Sequence, residues 1–391
     1  MLKSCVLLVG AIAVSAVLML SSCGTGRTGN DFPGGDRGAS GDRGDHGDFY
    51  DVDPAPVNPN ASGEVHELMQ YLAGIYGEYT LSGQMDLTWE DSVDMIDRVY
   101  QAVGKYPALM GYDFMNYHRE DLDGGSGLEQ VEEAIEWWNA GGLVTFCWHW
   151  RDPSLETIAF YTDRTDFRPD LDDPEVREQI LADIDLIAED LRDLEEAGVP
   201  VLWRPLHEAS GGWFWWGASG PEAFIDLWKL MIDRLQDHHE LTNLIWVYNG
   251  QHPDWYPGDE YVDIIGEDPY VDPEETAAGT VHYRGSYADR FMEAALTPGE
   301  PKMVAMTENG TMPHPDSMHV DNAVWLWFKT WNDGREPEGE NAFFSGEHWN
   351  PQQHKIEVYH HPRVLTLQDV ARDFHGTVGP QIDNIAPAPF D

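Results

Sequence analysis

The sequence predicts a (β/α)8 barrel, and three observations support this prediction. Eight short, mostly apolar runs occur between residues 61 and 376, with helical patterns between most of them. The runs are largely continuous rather than alternating, as expected for parallel strands buried on both faces. Polar or aromatic residues stand at the C-terminal end of nearly every run, and a barrel gathers those ends into one opening, here called the mouth. No internal repeat and no second folded domain is indicated.

The predicted strands are short, and helical stretches separate them. In chain order the strands are Tyr79–Gln84, Ala108–Phe114, Leu143–Trp150, Val199–His207, Leu244–Asn249, Val262–Tyr270, Met303–Glu308 and Val324–Trp331. The helical stretches include Asp91–Val103, Leu128–Ala140, Pro174–Ala197, Pro221–His239 and Ser286–Ala295. Asp173 before Pro174 is a typical helix start, and Gly198 after Ala197 is a typical stop. The residues expected at the mouth are Gln84, Asp113, Trp148, His149, Trp150, His207, Glu208, Asn249, Asp268, Tyr270, Glu308, Trp327 and Trp331.

The N-terminus predicts export. Residues 1–22 have Lys3 as their one charged residue and an apolar stretch, Val6–Leu20, as in a secretory signal. The stretch is too short and too early for a transmembrane anchor. It ends Leu20-Ser-Ser-Cys23, which resembles a bacterial lipobox, so we expect lipid attachment at Cys23 and anchoring to the bacterial cell envelope, at the outer membrane or cell surface. The alternative is an ordinary signal peptide with a chance cysteine.

The remaining segments are assigned by composition. Residues 23–60 are rich in Gly, Asp and Pro and predict a lipidated cysteine followed by a disordered tether. The folded domain is predicted over residues 61–376, and residues 377–391 form a Pro-rich C-terminal tail. Cys147 would then lack a partner, because Cys5 lies in the signal and Cys23 carries lipid, so no disulfide framework is predicted.

The net charge argues against nucleic-acid partners. The formal net charge is −47, and such a surface repels nucleic acid and anionic lipid. Self-repulsion of this size destabilises a folded chain unless salt screens it. We therefore expect adaptation to high salt; the alternative is a merely acidic exported protein.

The most distinctive stretch is Val201–Gly217, V-L-W-R-P-L-H-E-A-S-G-G-W-F-W-W-G. An apolar run ends in His207 and Glu208, and a Gly-Gly turn leads into four successive aromatics. Indole faces can stack on sugars, and an apolar surround raises the pKa of a glutamate so that it can act as an acid near neutral pH. The alternative is a buried Glu208 that is hydrogen-bonded to Arg204 inside an aromatic core.

A second glutamate completes a catalytic pair. Glu308, in A-M-T-E-N-G, ends the seventh run, while Glu208 ends the fourth. Strands four and seven of a barrel face each other across the mouth. Retaining glycosidases need two carboxyl groups about 5–5.5 Å apart, one as nucleophile and one as acid/base. The two glutamates are positioned to meet that need.

Val201–Gly217 resembles the acid/base segment of glycoside hydrolase family 26, best known for β-mannanases. Four other segments resemble the family in the same order: Leu81–Gln84, Thr145–Trp150, Gly266–Tyr270 and Ala305–Glu308. The resemblance spans roughly residues 61–375. It implies a retaining enzyme on a (β/α)8 fold that needs no cofactor.

The resemblance also implies residue roles. Glu208 would be the general acid/base and Glu308 the nucleophile. The supporting and substrate-binding residues would be His207 near the nucleophile or substrate, Tyr270 orienting Glu308, Arg204 bracing the carboxylates, His149 and Trp148 lining a sugar subsite, Trp213 and Trp216 stacking on sugars, and Trp327 at the mouth.

The resemblance leaves several functions open. A monomeric endo-β-1,4-mannanase acting on a β-mannan is expected first. The alternatives in the same family are an exo-acting mannobiose-releasing enzyme, a β-1,3-xylanase and a mixed-linkage β-glucanase; a non-catalytic glycan-binding lipoprotein is a more distant alternative. No metal site is predicted, because the chain has no H-E-x-x-H and no paired-cysteine spacing. The acidic loop Asp121–Gly125 lacks the ligand spacing of a calcium site.

Overall fold

The computed structural model describes residues 49–88, 95–117, 128–271, 283–339 and 341–375. The predicted signal, Cys23, the tether up to residue 48, the Asp121–Gly125 loop and the predicted tail lie outside the described residues.

Eight parallel strands close into a barrel, which confirms the predicted fold class. They are β1 (Thr80–Met85), β2 (Leu109–Asp113), β3 (Leu143–Cys147), β4 (Val201–Arg204), β5 (Leu244–Tyr248), β6 (Ile264–Glu267), β7 (Met303–Asn309) and β8 (Trp327–Thr330). Each strand pairs with the next, and β8 pairs with β1 from Leu81 opposite Trp327 to Gln84 opposite Thr330. A short strand, β9 (Val364–Leu365), adds to β1 from outside the barrel. All eight predicted strands are present, most of them shortened at their ends.

The described α-helices surround the barrel. They are α1 (Gly63–Ile75), α2 (Met95–Val103), α3 (Leu128–Asn139), α4 (Pro174–Glu196), α5 (Pro221–Ile232), α6 (Ala288–Ala295), α7 (Pro315–Val320), α8 (Gln352–Tyr359) and α9 (Leu367–Asp373). The predicted stretch Pro221–His239 is α-helical only to Ile232 and continues as a π-helical turn, Asp233–His238. None of the helices in these parts of the chain combines the length and hydrophobicity needed to cross a bilayer.

Helix α4 shows how local sequence positions the outer layer. The Asp173 side chain accepts a hydrogen bond from the Glu175 backbone, and Pro174 occupies the first turn, where its missing N–H costs nothing. Its buried apolar residues recur three or four positions apart and cover one face: Ile180, Ile184, Ile187, Leu191 and Leu194. Burial of this face fixes α4 and, with it, the entry into β4.

The tether prediction is wrong at its C-terminal end. Composition predicts disorder up to residue 60, yet the Tyr50 ring packs against Tyr76 at 4.9 Å between centroids. The Val57 N–H donates to Asp263 at 2.7 Å, and the Asn58 amide donates to the Leu241 carbonyl at 3.1 Å. The ordered domain therefore includes residues 49–60, because one partly buried ring and two hydrogen bonds hold a segment whose composition otherwise resembles a linker.

Candidate active site

Glu208 lies beyond the end of β4 in an unusual backbone conformation. Its φ and ψ are 53° and 28°, in the left-handed region, and Leu206 also has a φ of 53°. Such conformations cost about 1–3 kcal/mol each and are concentrated at functional sites. The Glu208 N–H donates to the Asn249 carbonyl at 2.7 Å, which anchors the bent segment to the end of β5. The chain thus accepts strain to hold this carboxyl at the mouth.

Both carboxylate oxygens of Glu308 are held from opposite sides. Arg204, on β4, donates through Nη2 to Oε1, and the Tyr270 hydroxyl donates to Oε2 at 2.8 Å. Arg204 also donates through Nη1 to Asp268 at 2.9 Å, and Asp268 accepts a second hydrogen bond from Thr307 at 2.6 Å. Both oxygens of Glu308 therefore accept hydrogen bonds from protein donors, one of them the charged guanidinium of Arg204.

The structure brings the two glutamates together. One carboxylate oxygen each of Glu208, Asp268 and Glu308 lie within 4.8 Å of one another. Retaining glycosidases keep their two carboxyl groups about 5–5.5 Å apart, and inverting enzymes keep them about 6.5–9.5 Å apart. The proximity of Glu208 and Glu308 is compatible with the retaining arrangement, and their catalytic roles stay predictions.

The electrostatics separate the two carboxyl groups. Burial of the carboxyl, and then the negative charges of Asp268 and Glu308, raise the pKa of Glu208 well above its ordinary value. Arg204 and a hydrogen bond from the Trp213 indole, at 3.0 Å, oppose this only in part. Burial lowers the pKa of Arg204, but Asp268 and Glu308 outweigh it and the pKa is raised. These effects favour the protonated form of Glu208 and the charged form of Arg204.

Two histidines and an aspartate form a buried chain beside the glutamates. His149 Nδ1 lies 2.5 Å from Asp113, whose other oxygen accepts the His149 backbone N–H at 2.9 Å. His149 Nε2 is 3.2 Å from His207 Nε2. Burial raises the pKa of Asp113, but His149 offsets this and the net pKa is lowered. Burial, and then His149, lower the pKa of His207 well below its ordinary value. Asp113 is therefore ionised and His207 neutral, which orients His149.

Trp213 is an exposed aromatic residue at the mouth. Its side chain is 41 % exposed while its indole N–H is bound to Glu208. A Cβ at Gly211 would come within 2.1 Å of the ring, so glycine at that position lets the indole lie over the turn. Trp213 is therefore exposed beside Glu208, and its stacking on a sugar stays a prediction.

Three other tryptophans are not where the sequence suggested. Trp216 is fully buried and donates its indole N–H to the His207 carbonyl at 2.8 Å, so it supports the backbone and has no face for a sugar. Trp148 is 2 % exposed and stacks on Trp150 at 4.0 Å, in the core rather than along a subsite. Trp327 is the first residue of β8 and is fully buried below the mouth. Trp331 follows the C-terminal end of β8, whereas Trp327 begins the strand, so Trp331 is the one near His149, with 5.9 Å between the ring centroids.

Three groups of described side chains have possible metal-ligand atoms within 4.8 Å of one another: Asp113 with Cys147 and His149, Asp185 with His238 and His239, and Glu208 with Asp268 and Glu308. Protein contacts account for each group. His149 bonds to Asp113, Arg234 takes both oxygens of Asp185, and Arg204 bridges Asp268 and Glu308. The geometry calls for no ion, and the absence of a metal cofactor stays a prediction.

Comparison with known proteins decides the family. The family model described as Glycosyl hydrolase family 26 matches residues 57–369, most of the chain. The chain belongs to glycosyl hydrolase family 26. The resemblance seen in the Val201–Gly217 segment is thereby confirmed.

The family 26 chain is similar to proteins named as mannanases. It is 40 % identical over 325 residues to a mannan endo-1,4-β-mannosidase of Thermothelomyces thermophilus, covering 80 % of this chain and 62 % of that relative. It is 32 % identical over 331 residues to mannan endo-1,4-β-mannosidase B of a Piromyces species, covering 82 % of this chain and 54 % of that relative. The chain thus spans less than two thirds of these curated relatives.

Two solved structures resemble the family 26 chain closely. The β-(1,4)-mannanase of Podospora anserina superposes with a TM-score of 0.72 at 37 % identity, over 85 % of this chain and 71 % of that one. A β-mannanase from a symbiotic protist of the termite Reticulitermes speratus, solved with a gluco-manno-oligosaccharide, gives 0.73 at 35 % identity, over 82 % of this chain and 98 % of that one.

Sequence reasoning placed Asp113, Asn249 and Asp268 at the mouth of this family 26 barrel but gave them no role. Asp268 shares Arg204 with Glu308, and Asn249 receives the Glu208 backbone. Their position after successive buried strands was the available signal. Their partners are distant in sequence, so no local pattern shows them.

Proposed function

We propose that the chain is a retaining endo-β-1,4-mannanase that acts as a monomer on mannan, galactomannan or glucomannan. The observation that carries this proposal is the Glu208–Glu308 pair. The two carboxyl groups have oxygens within 4.8 Å of each other, burial raises the pKa of Glu208, and Glu308 accepts hydrogen bonds from Arg204 and Tyr270.

The proposed reaction has two displacements. In the first, the Glu308 carboxylate attacks the anomeric carbon, the bond to the leaving sugar breaks, and Glu208 gives its proton to the departing oxygen. Glu308 then holds the glycosyl group as an ester. In the second, Glu208, now ionised, removes a proton from water, which attacks the same carbon and releases Glu308. Two inversions give net retention.

The choice of mannan rests on relatives. Both curated relatives are named mannan endo-1,4-β-mannosidases, and the protist mannanase was solved with a gluco-manno-oligosaccharide. Trp213 supplies an exposed aromatic face beside the acid/base, which suits the apolar face of a pyranose. The substrate and the internal cleavage are carried over from these proteins to this chain.

A substrate panel tests the function. Purified protein is incubated with linear mannan, locust bean galactomannan, konjac glucomannan, β-1,3-xylan and barley β-glucan, with reducing sugar as the readout. We expect release from the three mannans, a mixture of oligosaccharide lengths at early times, and β-configured new ends by NMR. Mannobiose as the sole early product would overturn internal cleavage. Cleavage of xylan or barley glucan alone would overturn the substrate, and α-configured ends would overturn the double displacement.

We also propose that the chain is exported and anchored to the bacterial cell envelope through lipid on Cys23, on the strength of the Leu20–Cys23 segment. Cys23→Ala should release the protein from the membrane fraction and abolish its labelling by radioactive palmitate. Cys5→Ala, in the same leader, is the matched control and should leave both unchanged. Full labelling of Cys23→Ala would refute the proposal.

A third proposal is adaptation to high salt, supported by the net charge of −47. The described helices add to this, because α1, α2, α3 and α4 have no basic residue in the last turn, where a cation would favour the helix dipole. With few local cations, carboxylate repulsion must be screened by solvent.

The melting temperature should therefore rise by several degrees between about 0.1 M and 2 M KCl, steeply at first, as the Debye length falls from about 10 Å to 3 Å or less. Differential scanning fluorimetry measures this. Chloride is preferred to sulfate, which also strengthens apolar burial. Activity should persist in molar salt, because the substrate is neutral. A melting temperature that stays flat or falls would contradict the proposal without affecting the catalytic one.

A further inference from the structure

Lys329 is a buried lysine inside the barrel that the reaction above does not use. It is the third residue of β8 and is 1 % exposed. Neighbouring glycines leave it space: a Cβ at Gly111 on β2 would come within 2.6 Å of its Cδ and 3.0 Å of its Nζ, and one at Gly83 on β1 within 3.2 Å of its Cβ. Any other residue at Gly111 would displace the ammonium group.

The ammonium group of Lys329 has weak local partners. Nζ donates to the Met85 sulfur at 3.3 Å and lies 5.7 Å from the centre of the Trp331 ring. A thioether is a weak acceptor, and an aromatic face attracts a cation only modestly. Because these two contacts are weak, the buried positive charge of Lys329 needs negative charges farther away to stabilise it.

Acidic groups of the barrel interior act on Lys329 at this longer range. The titratable and charged groups that face Lys329 come from five strands or their ends: Asp113 on β2, Cys147 on β3, Arg204 and His207 on and after β4, Asp268 after β6 and Glu308 on β7. Arg204 is bonded to both Asp268 and Glu308. Lys329 is thus a second cation within the same group of acids.

We propose that Lys329 is a positioning residue whose buried positive charge keeps the surrounding carboxylates ionised, so that the proton needed for catalysis rests on Glu208. The inference rests on the proposed double displacement, which requires an ionised Glu308 beside a protonated Glu208. The single positive charge of Arg204 is shared between two carboxylates, Asp268 and Glu308. Asp113 is bonded to His149. Lys329 supplies the additional charge.

The direction of the titration effects agrees with this role. Burial raises the pKa of Asp268 above its ordinary value, and Lys329 acts against that rise. Lys329 also contributes to the lowered pKa of Asp113. Burial, and then Arg204, lower the pKa of Lys329, while Cys147, Glu308 and Asp268 oppose the change. Removing this charge should make the acids easier to protonate.

The test compares two neutral variants, Lys329→Met and Lys329→Gln, with wild type in the pH dependence of kcat/KM on galactomannan. In both variants the fall of kcat/KM on the acid side of the profile should shift to higher pH by about 1 unit, the usual effect of removing one nearby positive charge. Lys355→Met is the matched control: Lys355 is equally buried but lies on α8, with Nζ bound to the Ser345 carbonyl at 3.0 Å. It should lose stability and keep the wild-type profile.

Unshifted acid limbs in both Lys329 variants would overturn the inference, even if both melt earlier than wild type. A wild-type profile in Lys329→Gln alone would also overturn it, because hydrogen bonding rather than charge would then suffice. Loss of activity in Glu308→Ala with unshifted Lys329 profiles would leave the proposed function standing and reject this inference.

A second readout does not require activity. The loss of melting temperature in each Lys329 variant, relative to wild type, should shrink between pH 7 and pH 4.5. Burial raises the pKa of Asp268 to about 6, so Asp268 is ionised at pH 7 and becomes protonated at pH 4.5, where the lysine charge then stabilises the fold less. An equal loss at both pH values would overturn the inference even if the chain hydrolysed no mannan.

Discussion

Replacing Glu308 by alanine should lower kcat on mannan by at least about 10⁴-fold and leave the fold intact, because the covalent route is lost. Glu308 lies on β7, and both of its oxygens are bonded to protein donors. In the variant Arg204 keeps Asp268 as its partner at 2.9 Å, so its buried charge stays paired. The loss should therefore appear in kcat and not in the melting temperature.

Chemical rescue identifies the missing group. Azide is small enough to enter the space left by the carboxylate and attack the anomeric carbon directly. It should restore part of the rate with an activated substrate and give a product of inverted configuration, because only one displacement occurs. NMR of the glycosyl azide measures this. Near-normal hydrolysis by pure Glu308→Ala protein would reject Glu308 as the nucleophile.

Glu267→Gln is the matched control for this variant. Glu267 is a buried carboxyl at the end of β6, with Arg290 at 3.5 Å, and burial raises its pKa to about 8. It shares burial with Glu308 but points toward α6, so activity should be retained. A comparable loss of activity in Glu267→Gln would show that changing a buried acid of the barrel is enough to abolish activity. The Glu308→Ala result would then not identify Glu308 as the nucleophile.

The barrel could be predicted from sequence because its signals are local. Runs such as Leu143–Trp150 and Met303–Glu308 are apolar on both faces, as a strand between a packed barrel interior and a helix layer must be. The placement of Glu208 and Glu308 at the mouth could be predicted for the same reason, because each stands at the end of such a run; their roles stay predictions. The eight-strand order then places them across one mouth.

The finer geometry could not be predicted, because it depends on contacts between distant residues. Asp113 and His149 are 36 positions apart, and Arg204 and Glu308 are 104 apart. No periodicity indicates that Lys329 enters the space left by Gly111. Packing sets the direction of each ring in Trp213–Trp216. The sequence therefore predicted two indoles for sugar stacking, Trp213 and Trp216, where the structure exposes only Trp213 of these two. The same limit explains Tyr50, whose partly buried ring packs on the core and holds a segment that composition assigns to a tether.

Replacing Glu208 by alanine should affect substrates according to their leaving group. For mannan, whose leaving sugar must be protonated, kcat/KM should fall by about 10²–10⁴-fold. For an aryl β-mannobioside with an acidic phenol it should fall far less, since that group departs without a proton. Steady-state rates on both substrates, with variant and wild type side by side, make the comparison. Equal losses on the two substrates would show that Glu208 is not the acid.

The pH dependence of activity is a second test of Glu208 as the acid. Burial, and the charges of Asp268 and Glu308, raise the pKa of Glu208, and the first displacement needs its protonated form. Wild-type activity on mannan should therefore fall on the alkaline side as Glu208 loses its proton, and that limb should vanish from the Glu208→Ala profile on the aryl substrate.

Trp213→Phe keeps an aromatic ring but removes the N–H that bonds to the Glu208 carboxylate at 3.0 Å. That bond favours the ionised form, so its loss should move the alkaline limb of the variant to higher pH. A shift to lower pH would mean that another group sets the limb, and the assignment of the acid would fail even if Glu208→Ala were inactive.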